Sequence, residues 1–347
     1  FFYKWCTDRS LGWKEYHIPT TRSPNWTPEL ERQLRSELPS LKYQQEILAE
    51  WGEQAEGVIP KRFIDSALAR GVAANWHYYD ERKVPPKQPA NPRILGVDWY
   101  KYGAATNMIA VEFRRDWGVY APILRVEVPK HIFTLTHAVQ KIIEYDQAFH
   151  FDYILVDRGY GEMQVETLHR YGLEHPETKL AERVIGVGFG DVIELPDPFT
   201  HKKTRQPLKP FMVNNLTLAF EQERFLLAPD DLTLKRALEN YQVVSVSSDG
   251  YPRFTDEGDH IFSALALAYH GFILKFSDLL SVPVEFHVAV LQPIGGPPVA
   301  SVSRAIGSTP QMERSADGVL VMPLVKPGAR YGRDLWGRGV PYSRVTF

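Results

Sequence analysis

The chain has 347 residues, room for two domains of about 150 residues or for one large domain with appendages. Hydrophobic residues make up 44% and charged residues 24%, which excludes a disordered or collagen-like chain, and no apolar run reaches the roughly 18 residues that cross a bilayer. The 40 basic and 42 acidic side chains leave a net charge of −2, which excludes a globally basic nucleic-acid coat but not a local basic patch. Cys6 is the single cysteine, so neither an intrachain disulfide nor a cysteine-built zinc site can form, and a reducing compartment fits. The sequence opens at Phe1 without a basic segment leading into an apolar one. It therefore reads as a fragment with sequence missing upstream and no secretory leader.

Residues 1–90 read as helical and irregular. Trp13 to His17 and Pro19 to Pro24 suggest a short strand and a loop. Thr27-Pro28-Glu29-Leu30-Glu31 predicts a helix start, with a capping threonine, proline in the first turn and acids beside it. Tyr43, Ile47 and Trp51, four residues apart, predict a helix over 43–51, and Arg62 to Ala73 another. Residues 81–92 carry Pro85, Pro86, Pro89 and Pro92 and read as a linker, because such a run continues neither a helix nor a central strand.

Residues 91–276 read as the main domain. Arg93 to Asp98 is a short apolar run, as in a strand buried on both faces. Asn107 to Arg114 and Tyr120 to Val128 follow as strands, with a turn at Asp116-Trp117-Gly118. Thr134 to Phe149 predicts an amphipathic helix and Tyr153 to Asp157 a second buried strand. Met163 to Tyr171 predicts a helix ended by Gly172, and Arg183 to Val187 a third buried strand. Residues 210–224 and 231–241 predict helices, 242–247 and 251–254 a hairpin around Asp249-Gly250, and 259–276 an apolar helix. This order fits a mixed α/β sheet flanked by helices. Residues 277–347 show no sustained period and read as an irregular tail that packs on a partner, with Arg330, Arg333, Arg338 and Arg344 available for DNA or protein.

Two of the buried strands end on an acid, Asp98 and Asp157, and Asp259 stands before the last apolar helix. Functional groups in α/β sheets gather at the carboxyl ends of strands, and neighbouring strands lie about 4.8 Å apart. If the two strands are parallel neighbours, their carboxylates can share a divalent ion. Three carboxylates with open water positions suit Mg²⁺ or Mn²⁺, and two such ions about 3.5–4 Å apart can hydrolyse a phosphodiester. Taken singly, each acid also has a plain reading, as a turn residue or, for Asp259, as a helix cap. Asp98, two further strands and a helix, Asp157, and then Asp259 before an apolar helix form the ordering seen in RNase H-like nucleases.

The detail is narrower. Gly96-Val97-Asp98-Trp99, Val156 to Gly161 and Thr255-Asp256-Glu257-Gly258-Asp259-His260 followed by Ala264 to Ala268 resemble the C-terminal nuclease domain of tailed-phage large terminase subunits, the DNA-packaging motor proteins. Leu238-Glu239-Asn240-Tyr241 is similar too. Ser23 to Asn25 and Tyr43 to Trp51 resemble the segment that leaves the terminase ATPase domain. The resemblance covers most of residues 10–275, and its specificity lies in the order of loose motifs. It implies an RNase H-like sheet with an N-terminal helical segment, residues 1–90 being the end of the ATPase domain and linker. It implies that Asp98, Asp157 and Asp259 are the catalytic metal-binding acids, with Asp256 either a further ligand or the ligand in place of Asp259. It implies Mg²⁺ or Mn²⁺, as two ions, and endonucleolytic cutting of double-stranded viral DNA during packaging, with water attacking phosphorus in line. The implied partners are duplex DNA, a portal protein and a small terminase subunit, in host cytoplasm at the procapsid portal vertex, with no membrane.

No G-x-x-x-x-G-K-[ST] occurs, so the phosphate-cradling loop of a packaging ATPase is missing or lies on another chain. Gly186-Val187-Gly188-Phe189-Gly190 lacks the lysine and reads as a turn after a strand. His201 to Lys209 is a basic loop whose Lys202, Lys203, Arg205 and Lys209 could neutralise phosphates or simply be solvated. Beside the implied nuclease site it reads as a DNA track. Arg158 could touch the scissile phosphate or pair with an acid. His260 could assist proton transfer or be incidental, and Trp99 and Tyr100 read as packing residues. The rival readings are another RNase H-like nuclease, of the junction-resolvase or integrase type, and a non-catalytic module docking DNA or a portal.

Overall fold

The computed structural model describes residues 10, 12, 16–50, 57–99, 105–128, 135–159, 161–196, 203–248, 250–255 and 259–284, with the backbone of three short strands beyond. The first helix, α1 (Pro28–Glu37), begins as expected: Thr27 accepts a hydrogen bond from the Leu30 N–H, and Glu29 and Glu31 lie in the first turn. The next, α2 (Ser40–Glu46), starts earlier than predicted and stops before Ile47. Ala49 adopts a φ of 56°, a left-handed conformation that a helix cannot continue through. Trp51 lies outside the described residues. Tyr43 and Ile47 close a small cluster with Leu34. The strand suggested near Trp13 is not formed at Tyr16 and His17, which are irregular, and 13–15 lie outside the described residues. Helix α3 (Lys61–Ala73) follows, and the proline-rich stretch after it is irregular, as expected.

Five strands make the central sheet: β1 (Arg93–Asp98), β2 (Thr106–Arg114), β3 (Val119–Val128), β4 (Tyr153–Asp157) and β5 (Val184–Val187). Their order is β3-β2-β1-β4-β5. β2 pairs antiparallel with both β1 and β3, and the β1–β4 and β4–β5 pairs are parallel. The chain crosses from β3 to β4 through α4 (Leu135–Phe149), and from β4 to β5 through α5 (Glu162–Glu174) and the short α6 (Leu180–Arg183). Three antiparallel strands continued by two parallel ones, in this order and with helices on both faces, form an RNase H-like sheet. β5 is less buried than predicted. It lies at the sheet edge, Ile185 and Gly186 are half-buried, and Arg183 belongs to α6.

Beyond the sheet, β6 (Val192–Pro196) and β7 (Lys203–Pro207) form an antiparallel hairpin, and α7 (Leu208–Glu221) follows directly. The predicted basic loop is therefore corrected: Lys203 and Arg205 sit on a strand and Lys209 in the first turn of a helix. Helix α8 (Leu232–Asn240) leads to a second hairpin, β8 (Val243–Val246) with β9 (Pro252–Phe254), which turns as expected at Gly250, φ 83°. The last long helix is α9 (Asp259–Lys275). In the tail, Glu313–Arg314, Leu320–Met322 and Ser343–Val345 pair as short antiparallel strands, of which the aperiodic sequence carries no sign. No helix among the described residues is long and apolar enough to cross a membrane.

Strand alternation divides the core. Ile94, Ile109, Val111 and Leu155 point to the face covered by α9, with α3, α7 and α8 behind it. Leu95, Val97, Met108, Ile154 and Val156 point to the opposite face, under α4 and α5. The seat of α9 is unusually close because Gly96 lacks a side chain. A β-carbon there would lie 2.0 Å from the Ala264 carbonyl oxygen and 2.5 Å from the Ala268 nitrogen. Glycine at this strand position thus brings the start of α9 down onto the ends of β1 and β4.

Candidate functional site

The register brings Asp98 and Asp157 together. β1 and β4 pair in parallel from Ile94–Tyr153 to Val97–Val156, so the next residue on each strand is one of the two aspartates. Period-two alternation puts Asp98 on the face of Ile94 and Gly96, and Asp157 on the face of Leu155. Both acids therefore lie on the α9 side, at the carboxyl edge of the sheet, and are 3% and 4% exposed. The Gly159 N–H donates to Asp157 Oδ1 at 2.9 Å, closing a tight turn that holds that carboxylate.

The first turn of α9 supplies the other half. His260 Nδ1 lies 3.3 Å from Asp98 Oδ2. Asp259 has several partners of its own. Lys209 Nζ donates to both of its oxygens at 2.8 Å, the Tyr241 hydroxyl donates to Oδ1 at 2.8 Å, and Ser263 Oγ donates to Oδ1 at 3.2 Å. Tyr241 is gripped by stacking on Phe262, at 3.8 Å between ring centroids, and on Phe254, at 5.3 Å. The Lys209 ammonium also faces the Phe189 ring, 5.0 Å from its centre.

The charges act on one another. Burial raises the Asp98 carboxyl, the hydrogen bond and charge of His260 draw it back, and the charges of Asp157 and Asp259 raise it further, to about 6. Burial lowers the basicity of the His260 ring. The hydrogen bond and charge of Asp98, together with the charge of Asp259, outweigh this, and the ring's pKa is raised. Asp98, raised in part by the charges of Asp157 and Asp259, is a carboxylate that a cation relieves.

Asp98 and Asp157 fit a hard divalent ion. They are oxygen donors on adjacent rigid strands, and Mg²⁺ commonly takes one or two carboxylates and completes its shell with water and phosphate oxygens. Asn107 stands directly opposite Asp98 in the β1–β2 register. Its Nδ2 donates to the Ala105 carbonyl at 3.1 Å, and its buried Oδ1 has no hydrogen-bond partner among the described residues, a neutral oxygen beside Asp98. Among the described residues, no group of three or more His, Cys, Asp or Glu side chains converges closely enough to hold one ion. Asp256 lies outside the described residues.

The candidate DNA-binding cations have acidic partners. Glu194, opposite Arg205 in the hairpin register, pairs with Lys203 at 3.1 Å and with Arg205 at 3.0 Å. The hydrogen bonds and charges of these two cations hold the Glu194 carboxyl below its usual range. Arg158 pairs with Asp191 at 2.8 Å, the acid-pair alternative open at the sequence level. Lys203 and Arg205 are still largely exposed. Lys202 and His201 lie outside the described residues, as do Tyr100 and the tail's Arg330, Arg333 and Arg338. Trp99 is buried as expected, packed where a β-carbon on Gly161 would lie 2.1 Å from its Nε1.

Sequence reasoning missed roles for Tyr241, Ser263, Glu194, Asp191 and Asn107. Ser263 was accessible in principle, since it follows Asp259 by four residues on one helix face. The others depend on strand register or on contacts between distant segments.

No protein-family model matches the sequence, and no curated protein matches it. Among solved structures, the chain is similar to the large terminase nuclease of thermophilic phage G20c, at 17% identity and a TM-score of 0.44 over 62% of this chain and 98% of that one. It is similar to the large terminase nuclease domain of bacteriophage SPP1 with bound Mn, at 14% identity and a TM-score of 0.35 over 53% of this chain and 88% of that one. The human cytomegalovirus terminase nuclease domain is also similar, at 13% identity and a TM-score of 0.31 over 58% of this chain and 92% of that one.

Proposed function

We propose that this chain is a divalent-metal-dependent endonuclease acting on double-stranded DNA, with Asp98 and Asp157 as the ion-binding carboxylates. The observation that carries this reading is the burial of two aspartates side by side at the carboxyl ends of neighbouring parallel strands. Burying two like charges together is unfavourable, and a bound cation is the common reason for such a pair. When bound, Mg²⁺ or Mn²⁺ supplies Lewis-acid polarisation of a phosphodiester and stabilises the charge that develops on its oxygens. The residues of the chain supply position. Packing of β1 and β4 under α9 holds the two carboxylates, His260 orients Asp98 through its 3.3 Å contact, and the Gly159 N–H orients Asp157. The exposed cations of the β6–β7 hairpin are the DNA-facing surface in this reading, with Arg158 at the rim.

The wider role follows from likeness. The resemblance of the motifs to large terminases makes viral genome packaging the setting, with a portal ring and a small terminase subunit as partners at the procapsid vertex in host cytoplasm. The deciding experiment incubates the chain with supercoiled plasmid in Mg²⁺, Mn²⁺ or EDTA, beside Asp98→Asn and Asp157→Asn. Metal-dependent nicking and linearisation, lost in both variants while gel-shift binding persists, is the expected result. Equal cutting by wild type and variants would remove the assignment. Binding without cutting in any metal would leave the docking-module reading.

A further inference from the structure

We propose that the Lys209 ammonium is the second cation of this site. Asp259 then serves as its counter-ion rather than as a metal ligand, and the chain binds one divalent ion where three strand-end and helix-start acids suggest two. This rests on the nuclease reading above and deepens it.

Three observations carry it. First, Asp259 is already neutralised: Lys209 lies 2.8 Å from each carboxylate oxygen, and Tyr241 and Ser263 donate to the same Oδ1. An ion bound to Asp259 would have to displace an ammonium that already neutralises it. Second, Lys209 is held from several sides. Its backbone N–H donates to the Phe189 carbonyl, the preceding Leu208 N–H donates to the Asp191 carbonyl, and its ammonium faces the Phe189 ring. The pair is about one-fifth to one-quarter exposed, so it is neither free in solvent nor sealed from a phosphate. Third, no three acids converge among the described residues, and Asp98 and Asp157 are the pair that the strand register sets side by side.

The chemistry is coherent. In a two-ion site each cation neutralises part of the charge on the reacting phosphate. An ammonium does the same as a point charge with three donors and can hydrogen-bond a phosphate oxygen while keeping its carboxylate partner. Lys209 would thus contribute charge and orientation.

The test titrates the whole chain with Mn²⁺ and counts bound ions by electron paramagnetic resonance and calorimetry, with and without a short DNA duplex. Wild type should bind one ion per chain. Asp98→Asn and Asp157→Asn should abolish that binding, whereas Asp259→Asn should keep it within about threefold, because a non-ligand charge acts only at a distance. Lys209→Met should bind Mn²⁺ more tightly, by about tenfold, as one positive charge leaves the cluster. Two ions per wild-type chain would overturn the proposal. So would loss of binding in folded Asp259→Asn equal to that in Asp98→Asn, or an unchanged titration in Lys209→Met. The wild-type count stands even if a variant fails to fold, which a thermal melt reports. Plasmid cutting on the same preparations separates the two readings. One ion without cutting keeps the single-ion count and the Lys209–Asp259 pair but removes the nuclease and with it any role of Lys209 on a phosphate, cutting with two ions does the reverse, and no binding at all removes both.

Discussion

The strand-end site and the β6–β7 hairpin both concentrate charge, and they do so in opposite ways. At the strand ends Asp98 and Asp157 are buried, like-charged and side by side, held in place by the packing of β1 and β4 under α9. On the hairpin Lys203 and Arg205 are exposed and share Glu194 across the register. Exposed ion pairs contribute little and tolerate change, whereas buried like charges are unfavourable and persist where something compensates them. The difference teaches where to look for chemistry: buried like charges call for compensation, whereas the exposed hairpin cations are already paired with Glu194.

The largest expected effect breaks the buried side. Asp157→Asn should lower the plasmid-cutting rate by at least on the order of a thousandfold with little change in gel-shift affinity, since it removes an ion ligand and leaves the hairpin intact. A rate within tenfold of wild type would mean that burial of this pair serves packing alone.

The core that seats the site should fail in acid through His270. This residue of α9 is 1% exposed, its Nδ1 has no hydrogen-bond partner among the described residues, and burial pushes the ring down to about 4. Between about pH 6.5 and 4 the unfolded chain binds a proton that the folded chain refuses. Stability from this group is therefore complete above pH 6.5 and is lost as pH falls towards 4, by up to about 3 kcal/mol. Urea unfolding at pH 7 and pH 4.5 measures it, and His270→Leu should reduce the difference between the two. An equal difference in the variant would assign the acid sensitivity to other groups.

The seat of α9 gives a comparable but smaller effect. Gly96→Ala drives a methyl into the Ala264 carbonyl and should cost about 1–3 kcal/mol in denaturant unfolding, with cutting reduced as α9 lifts from the strand ends. An unchanged midpoint would show that the helix slides freely on the sheet.

The smallest effects belong to the hairpin. Glu194→Gln should leave the unfolding midpoint essentially unchanged, since exposed ion pairs contribute little. It should tighten DNA binding, because it releases Lys203 and Arg205 from their shared acid. Replacing both cations with alanine should weaken binding and reduce the slope of log affinity against log salt by about 0.9 for each phosphate no longer neutralised. An unchanged salt slope would move the DNA surface away from this hairpin.

Much of the frame is legible in one dimension. Short apolar runs ending in Asp98 and Asp157 announce buried strands with acids at their carboxyl ends. The amphipathic stretch from Thr134 to Phe149 and the apolar stretch from Asp259 to Phe276 announce the helices that cover the two faces. The basic stretch reads as a loop because Thr204 and Gln206 between its cations give no apolar alternation, although strand pairing to 192–196 satisfies its backbone. A spacing of four between Tyr43, Ile47 and Trp51 looks helical and places α2 too late, because it says nothing about the left-handed turn at Ala49.

What the sequence by itself determined was the chemistry available. Three acids stand at the ends or starts of elements whose hydrophobic pattern is local, and a local pattern needs no partner to be seen. What only the tertiary structure decided was which charge meets which. Lys209 reaches Asp259 across 50 residues, Tyr241 caps the same carboxylate from the end of α8, and Glu194 gathers two cations across a hairpin. Charges pair through space, at distances set by register and by how closely a helix can approach a sheet. At Gly96 that approach depends on a single missing side chain.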